Sequence, residues 1–100
     1  MREHLAIVTW LPTELREGGQ LPHSLQYTGI SRFPSDRSGW PDGSYSIVCR
    51  FSVPPSEHGT SSEAHVRFLV DDAPHHRLTP GARFELYEGL LQVATVDVLW

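Results

Sequence analysis

Apolar positions along the chain fall in short runs of alternating character, separated by proline, glycine and small polar residues. HLAIVTWL, from His4 to Leu11, reads as a first strand stopped by Pro12, and Leu25 to Phe33 as a second stopped by Pro34. SDRSGWPDG is turn material, with Asp42-Gly43 as a hairpin-type signal. SYSIVCRFSV gives a third strand, closed by Pro54-Pro55. EAHVRFLV alternates cleanly, with Ala64, Val66, Phe68 and Val70 on one face and His65, Arg67 and Leu69 on the other. APHHRLTPG is a loop, after which ARFELYEG and LLQVATVDVLW supply the last strands. No stretch carries a capped helical stripe; PTELREGG could hold one short turn.

Strands at this spacing, with turn signals between them, predict an all-β fold. The expectation is a small closed antiparallel β-barrel of about six strands, built as a single domain over residues 1–100. Closure removes the edge strands that a domain of this size has to protect. Ile7, Trp10, Val48, Phe51, Val66, Phe68, Phe84, Leu86, Val93 and Val96 are the expected core.

Composition narrows the function. The chain has 8 basic and 12 acidic residues, a formal net charge of -4. That balance argues against a general nucleic-acid or anionic-membrane binder, whose affinity rests on clustered cations. All the basic residues are arginines, so no phosphate-binding loop of the GK[ST] type can exist and no nucleotide is expected. Cys49, the single cysteine, excludes an internal disulfide and reads as a buried thiol within SIVCRFSV. No run is apolar for long enough to span a membrane as a helix, and the expected location is the cytoplasm.

Candidate chemistry is sparse. Asp71, Asp72, His75 and His76 in DDAPHHR offer nitrogen and oxygen ligands, but adjacent histidines in an extended chain point apart, and the expectation is a solvated loop without a metal. No nucleophile elbow or second catalytic motif is present, so no catalytic residue and no cofactor is assigned. Trp10 reads as core, and Trp100 as a cover for an open end of the barrel. Trp40, in the turn SGWPDG, reads either as a plug folded back on the barrel or as an exposed anchor for a partner. In LPTELREGGQLP, Gly18 or Gly19 supplies a positive-φ turn, and the same loop can present a surface to a partner.

LPTELREGGQLP followed by YTGISRF resembles the L-x-x-E-E-G-G-R-x-x-P and G-Y-R-P-Q-F pattern of the C-terminal barrel, domain 3, of translation elongation factor Tu. RLTPGARFELYEGLLQVATVDVL is similar to the closing hairpin of that domain. The resemblance covers nearly the whole chain and implies a six-stranded antiparallel barrel. In the family this barrel helps to hold the backbone of aminoacyl-tRNA. Here Gln20 stands for the arginine of the G-G-R loop and Ile30 for the glutamine of R-P-Q-F, while Glu88-Gly89 is kept. Without that arginine and glutamine, the resemblance implies a stand-alone, non-catalytic module that binds a protein partner through Glu17, Gly18, Gly19, Gln20, Glu88 and Gly89, to which the turn residue Trp40 is added as a candidate anchor. The alternative is a translation-associated accessory with weak affinity for tRNA or structured RNA. Arginine placement separates the two: a basic stripe favours RNA, and a scatter paired with acidic residues favours protein.

Overall fold

A computed structural model describes residues 3–11, 24–36, 39–57 and 60–100. The described residues form six strands: β1 His4–Trp10, β2 Gln26–Arg32, β3 Ser46–Arg50, β4 Ser61–Phe68, β5 Arg83–Glu88 and β6 Leu91–Val98. They close into a barrel in the order β1-β4-β3-β2-β5-β6, every neighbouring pair antiparallel. Two short 3-10 turns, Pro55–Glu57 and His75–Arg77, are the only helical elements among the described residues. The expected all-β closed barrel is what the chain forms.

Period-two alternation decides which side chains go in. Ala6, Val8 and Trp10 of β1 are buried, as are Ile47 and Cys49 of β3 and Ser62, Ala64, Val66 and Phe68 of β4. Phe84 and Leu86 of β5 join them, with Val96 and Val98 of β6. Ile7 does not: it is half-buried on the outer face, because the phase set by Trp10 turns Ala6 and Val8 inward. Val48 is buried but stands on the opposite face of β3 from Ile47 and Cys49, outside the main cluster. Strand β4 ends at Phe68, and Val70 is exposed. On β6 the alternation is broken by a bulge opposite Leu86/Tyr87, so that consecutive Val93 and Ala94 are both buried.

Part of the core comes from side chains that obey no period. Ala73 and Leu78, from the connection between β4 and β5, are buried in the same core cluster as Phe33. Trp100 does not cover an end; it is 69% exposed, and its N–H points to the Leu5 carbonyl at 3.3 Å. Asp42-Gly43 lies inside a longer β2–β3 connection, with Gly43 at φ 75°, rather than in a tight hairpin. The tight hairpin is at Gly89-Leu90, between Glu88 and Leu91. Gly89 takes φ 63° and, among the described residues, only glycines have a positive φ, so this is the pattern of a type II′ turn with glycine first.

Cys49 is fully buried, and desolvation pushes its thiol pKa up to about 12. A thiol-specific disulfide reagent should therefore leave the native protein unmodified and react only as denaturant unfolds it. Stoichiometric reaction of the folded protein within the mixing time would contradict this packing.

Candidate functional site: a groove on the outer face of β2 and β5

Strands β2 and β5 are joined by the shortest register of the barrel: Ile30↔Tyr87, Ser31↔Leu86 and Arg32↔Glu85. Beyond Arg32 the chain turns away over residues 33–36, where Asp36 Oδ2 accepts the Phe33 N–H at 2.8 Å and the Asp36 N–H donates back to the Phe33 carbonyl at 2.9 Å. A groove of about 600 Å³ opens at this point. Its lining includes Arg32, Pro34, Asp36, Arg83, Glu85 and Tyr87.

Trp40 stands over this face. Its ring centroid is 4.5 Å from that of Tyr87 at an interplanar angle of 57°, and its Nε1–H donates to the Ser31 carbonyl at 2.9 Å. The Arg32 guanidinium lies 5.0 Å from the Trp40 ring centroid. Tyr87 donates its hydroxyl hydrogen to Glu85 Oε1 at 3.0 Å. Burial pushes the phenol above its usual pKa; the Arg32 guanidinium opposes that shift and the Glu85 carboxylate adds to it. Trp40 thus folds back, as one of the two sequence readings required, but onto the outside wall and not into an open end.

The other sequence-derived residues are divided. Glu17, Gly18, Gly19 and Gln20 lie outside the described residues. Glu88 accepts the Tyr27 hydroxyl at 2.8 Å, and burial, reinforced by that carboxylate, raises the Tyr27 pKa. Glu88 ends the strand on which Trp40 rests, and Gly89 opens the hairpin that follows. Leu90 at the hairpin tip is 75% exposed. Arg32, Glu85 and Tyr87 lie within the stretches that carry the resemblance, but the resemblance assigns them no role. Their only signal in the sequence was a polar or aromatic residue at an outward position of two strands whose pairing the sequence did not disclose.

The described arginines are spread over β2, β3, β4, β5 and the β4–β5 connection, with most bound to neighbours. Arg50 pairs with Glu3 at 2.6 Å, Arg77 with Asp36 at 3.4 Å and Arg83 with Asp97 at 2.7 Å. The Arg50 guanidinium beside Glu3 holds that carboxyl below the usual carboxylate range. Arg67 donates to the Phe68 carbonyl at 3.2 Å. In the loop over residues 71–77, His75 turns its ring edge-on to Phe68 and its Nε2 to the Asp71 carbonyl at 2.8 Å. Among the described residues, no group of three or more His, Cys, Asp and Glu side chains could hold a metal ion. No helix among them is long and apolar enough to cross a membrane.

Compared with protein-family models, with curated proteins and with solved structures, the chain matches none.

Proposed function

We propose that this chain is a non-catalytic binding module, a barrel of the elongation factor Tu C-terminal type, which works by engaging a protein partner through the outer face of β2 and β5. The observation that carries the reading is the Trp40–Arg32–Tyr87 cluster beside an open groove. Tryptophan, tyrosine and arginine are the residues that most often dominate protein interfaces, because each buries a large area while keeping a polar handle. The cluster stands outside the barrel's main core.

Arginine placement supports protein over RNA. A phosphate backbone is gripped by cations free to release counterions, and three of the described arginines are already held by carboxylates. Total tRNA should accordingly bind weakly in a filter assay, with affinity falling steeply as salt is raised. A host-cell extract passed over the immobilised protein should leave a retained protein that a Trp40→Ala column fails to hold. Tight, salt-resistant tRNA binding, or identical retention on both columns, would overturn the reading.

A further inference from the structure

We infer that the β2–β5 groove receives an extended segment of the partner and fixes it by a carboxylate on Arg32. This rests on the protein-binding reading above and names what the partner must bring.

Register supplies the first part of the argument. Ser31 donates its N–H to the Tyr45 carbonyl of the β3 side, so the next residue, Arg32, directs its main-chain groups to β5. On β5, Ala82 accepts the Val98 N–H from the β6 side, so Arg83 directs its main-chain groups to β2. Continuing the observed register past Arg32↔Glu85 sets Pro34 opposite Arg83. Proline has no N–H, so β2 gives the Arg83 carbonyl no donor. The ladder therefore stops one residue short, with a main-chain acceptor of β5 facing the groove, as an added strand requires.

Charge supplies the second part. Among the groove's ionic groups, Asp36 is engaged by the Phe33 N–H and by Arg77, and Arg83 by Asp97. Glu85 accepts the Tyr87 hydroxyl. Arg32 alone among these lining groups has no hydrogen bond or ion pair to a carboxylate from a described residue, although Glu85 is its cross-strand neighbour. The Tyr87 hydroxyl takes up Glu85 and itself accepts from Arg32, while the Trp40 ring lies against the guanidinium. A guanidinium held between the Tyr87 hydroxyl and the Trp40 ring keeps its remaining N–H donors for a carboxylate, at little further cost in side-chain freedom. A backbone N–H to Arg83 and an acidic side chain on Arg32 together define the ligand as extended, peptidic and carboxylate-bearing. A phosphodiester has no N–H to give.

The test is a chemical-shift titration of the isotope-labelled protein, following its amides and the arginine Nε–H groups. One probe is an end-capped peptide of alternating threonine and valine with a central glutamate; the other is its glutamine twin. Saturable shifts should centre on Arg32, Arg83 and Glu85. The glutamine twin should bind roughly fivefold or more weakly, the gap between a charge-assisted and a neutral hydrogen bond. In an Arg32→Gln protein with an otherwise unchanged spectrum, that gap should close. Equal binding of the two peptides, shifts centred away from the groove, or no saturable shift with either would overturn the inference. Trp40-dependent retention of a host protein in the same preparation would then show that the carboxylate assignment had failed and the binding module had not.

Discussion

Gly29→Val should destabilise the barrel despite the better strand propensity of valine. Gly29 lies mid-way along β2, paired with Ile47 of β3, and a Cβ built there would sit 2.9 Å from Leu86 Cδ1 and 2.9 Å from the Tyr87 carbonyl oxygen. A leucine tip can rotate away. The Tyr87 carbonyl cannot, because it belongs to the strand that closes the barrel against β2. The φ of Gly29 is not in the left-handed region, so space alone requires glycine here. Valine is the better strand former, by up to ~1 kcal/mol, which opposes the clash. Overpacking a well-filled core costs roughly 1–3 kcal/mol for added methylenes, and here the strain falls on the shortest seam of the barrel. The clash wins: a net loss of about 1–2 kcal/mol is expected, or a Tm lower by roughly 5–15 °C for a domain of this size. Gly29→Ala should fall between the parent and the valine variant. Thermal and urea melts followed by tryptophan fluorescence measure the difference, and a valine variant as stable as the parent would mean that β2 and β5 do not approach this closely.

Particular residues show how far the sequence could be read. All six strands were legible, because proline and glycine stop each run and β-branched and aromatic residues fill it. Phase was less legible: Ile7 looks as apolar as Val8, and only the partner strands decide that Ala6 and Val8 face inward. The paired burial of Val93 and Ala94 was hidden because a bulge breaks the alternation from which burial is read. Leu78 and Ala73 were hidden because a loop has no period at all. The groove was hidden for a deeper reason. It is made where β2, early in the chain, ends against β5, late in it, and a register between strands so far apart leaves no local trace. Trp40 was the one member that composition exposed, since a tryptophan in a turn between Gly39 and Pro41 needs an explanation from outside the turn.

Phe68→Ala should remove more stability than any single groove substitution. Phe68 ends β4 at 2% exposure. Its ring lies 6.0 Å from Phe33, 5.9 Å from Tyr45 and 5.7 Å from His75, centroid to centroid. Those neighbours come from the two ends of the β2–β3 connection and from the β4–β5 connection, so one side chain ties both loops to the barrel. Truncation removes the transfer free energy of the ring and leaves a cavity whose walls, being strands in a closed ladder, can collapse only in part. The expected loss is about 3–5 kcal/mol. Small domains hold only about 5–15 kcal/mol in total, so this approaches the whole stability at the lower end. Loss of the ring also frees His75, whose Nε2 is fixed on the Asp71 carbonyl. Amide exchange at Leu78, which donates to the His75 carbonyl at 3.1 Å, should then rise by more than global unfolding alone accounts for. Phe68→Leu keeps much of the volume and should lose far less. A urea midpoint for Phe68→Ala within error of the parent, or loops that exchange no faster than the strands, would show that this ring does not join the two connections to the barrel.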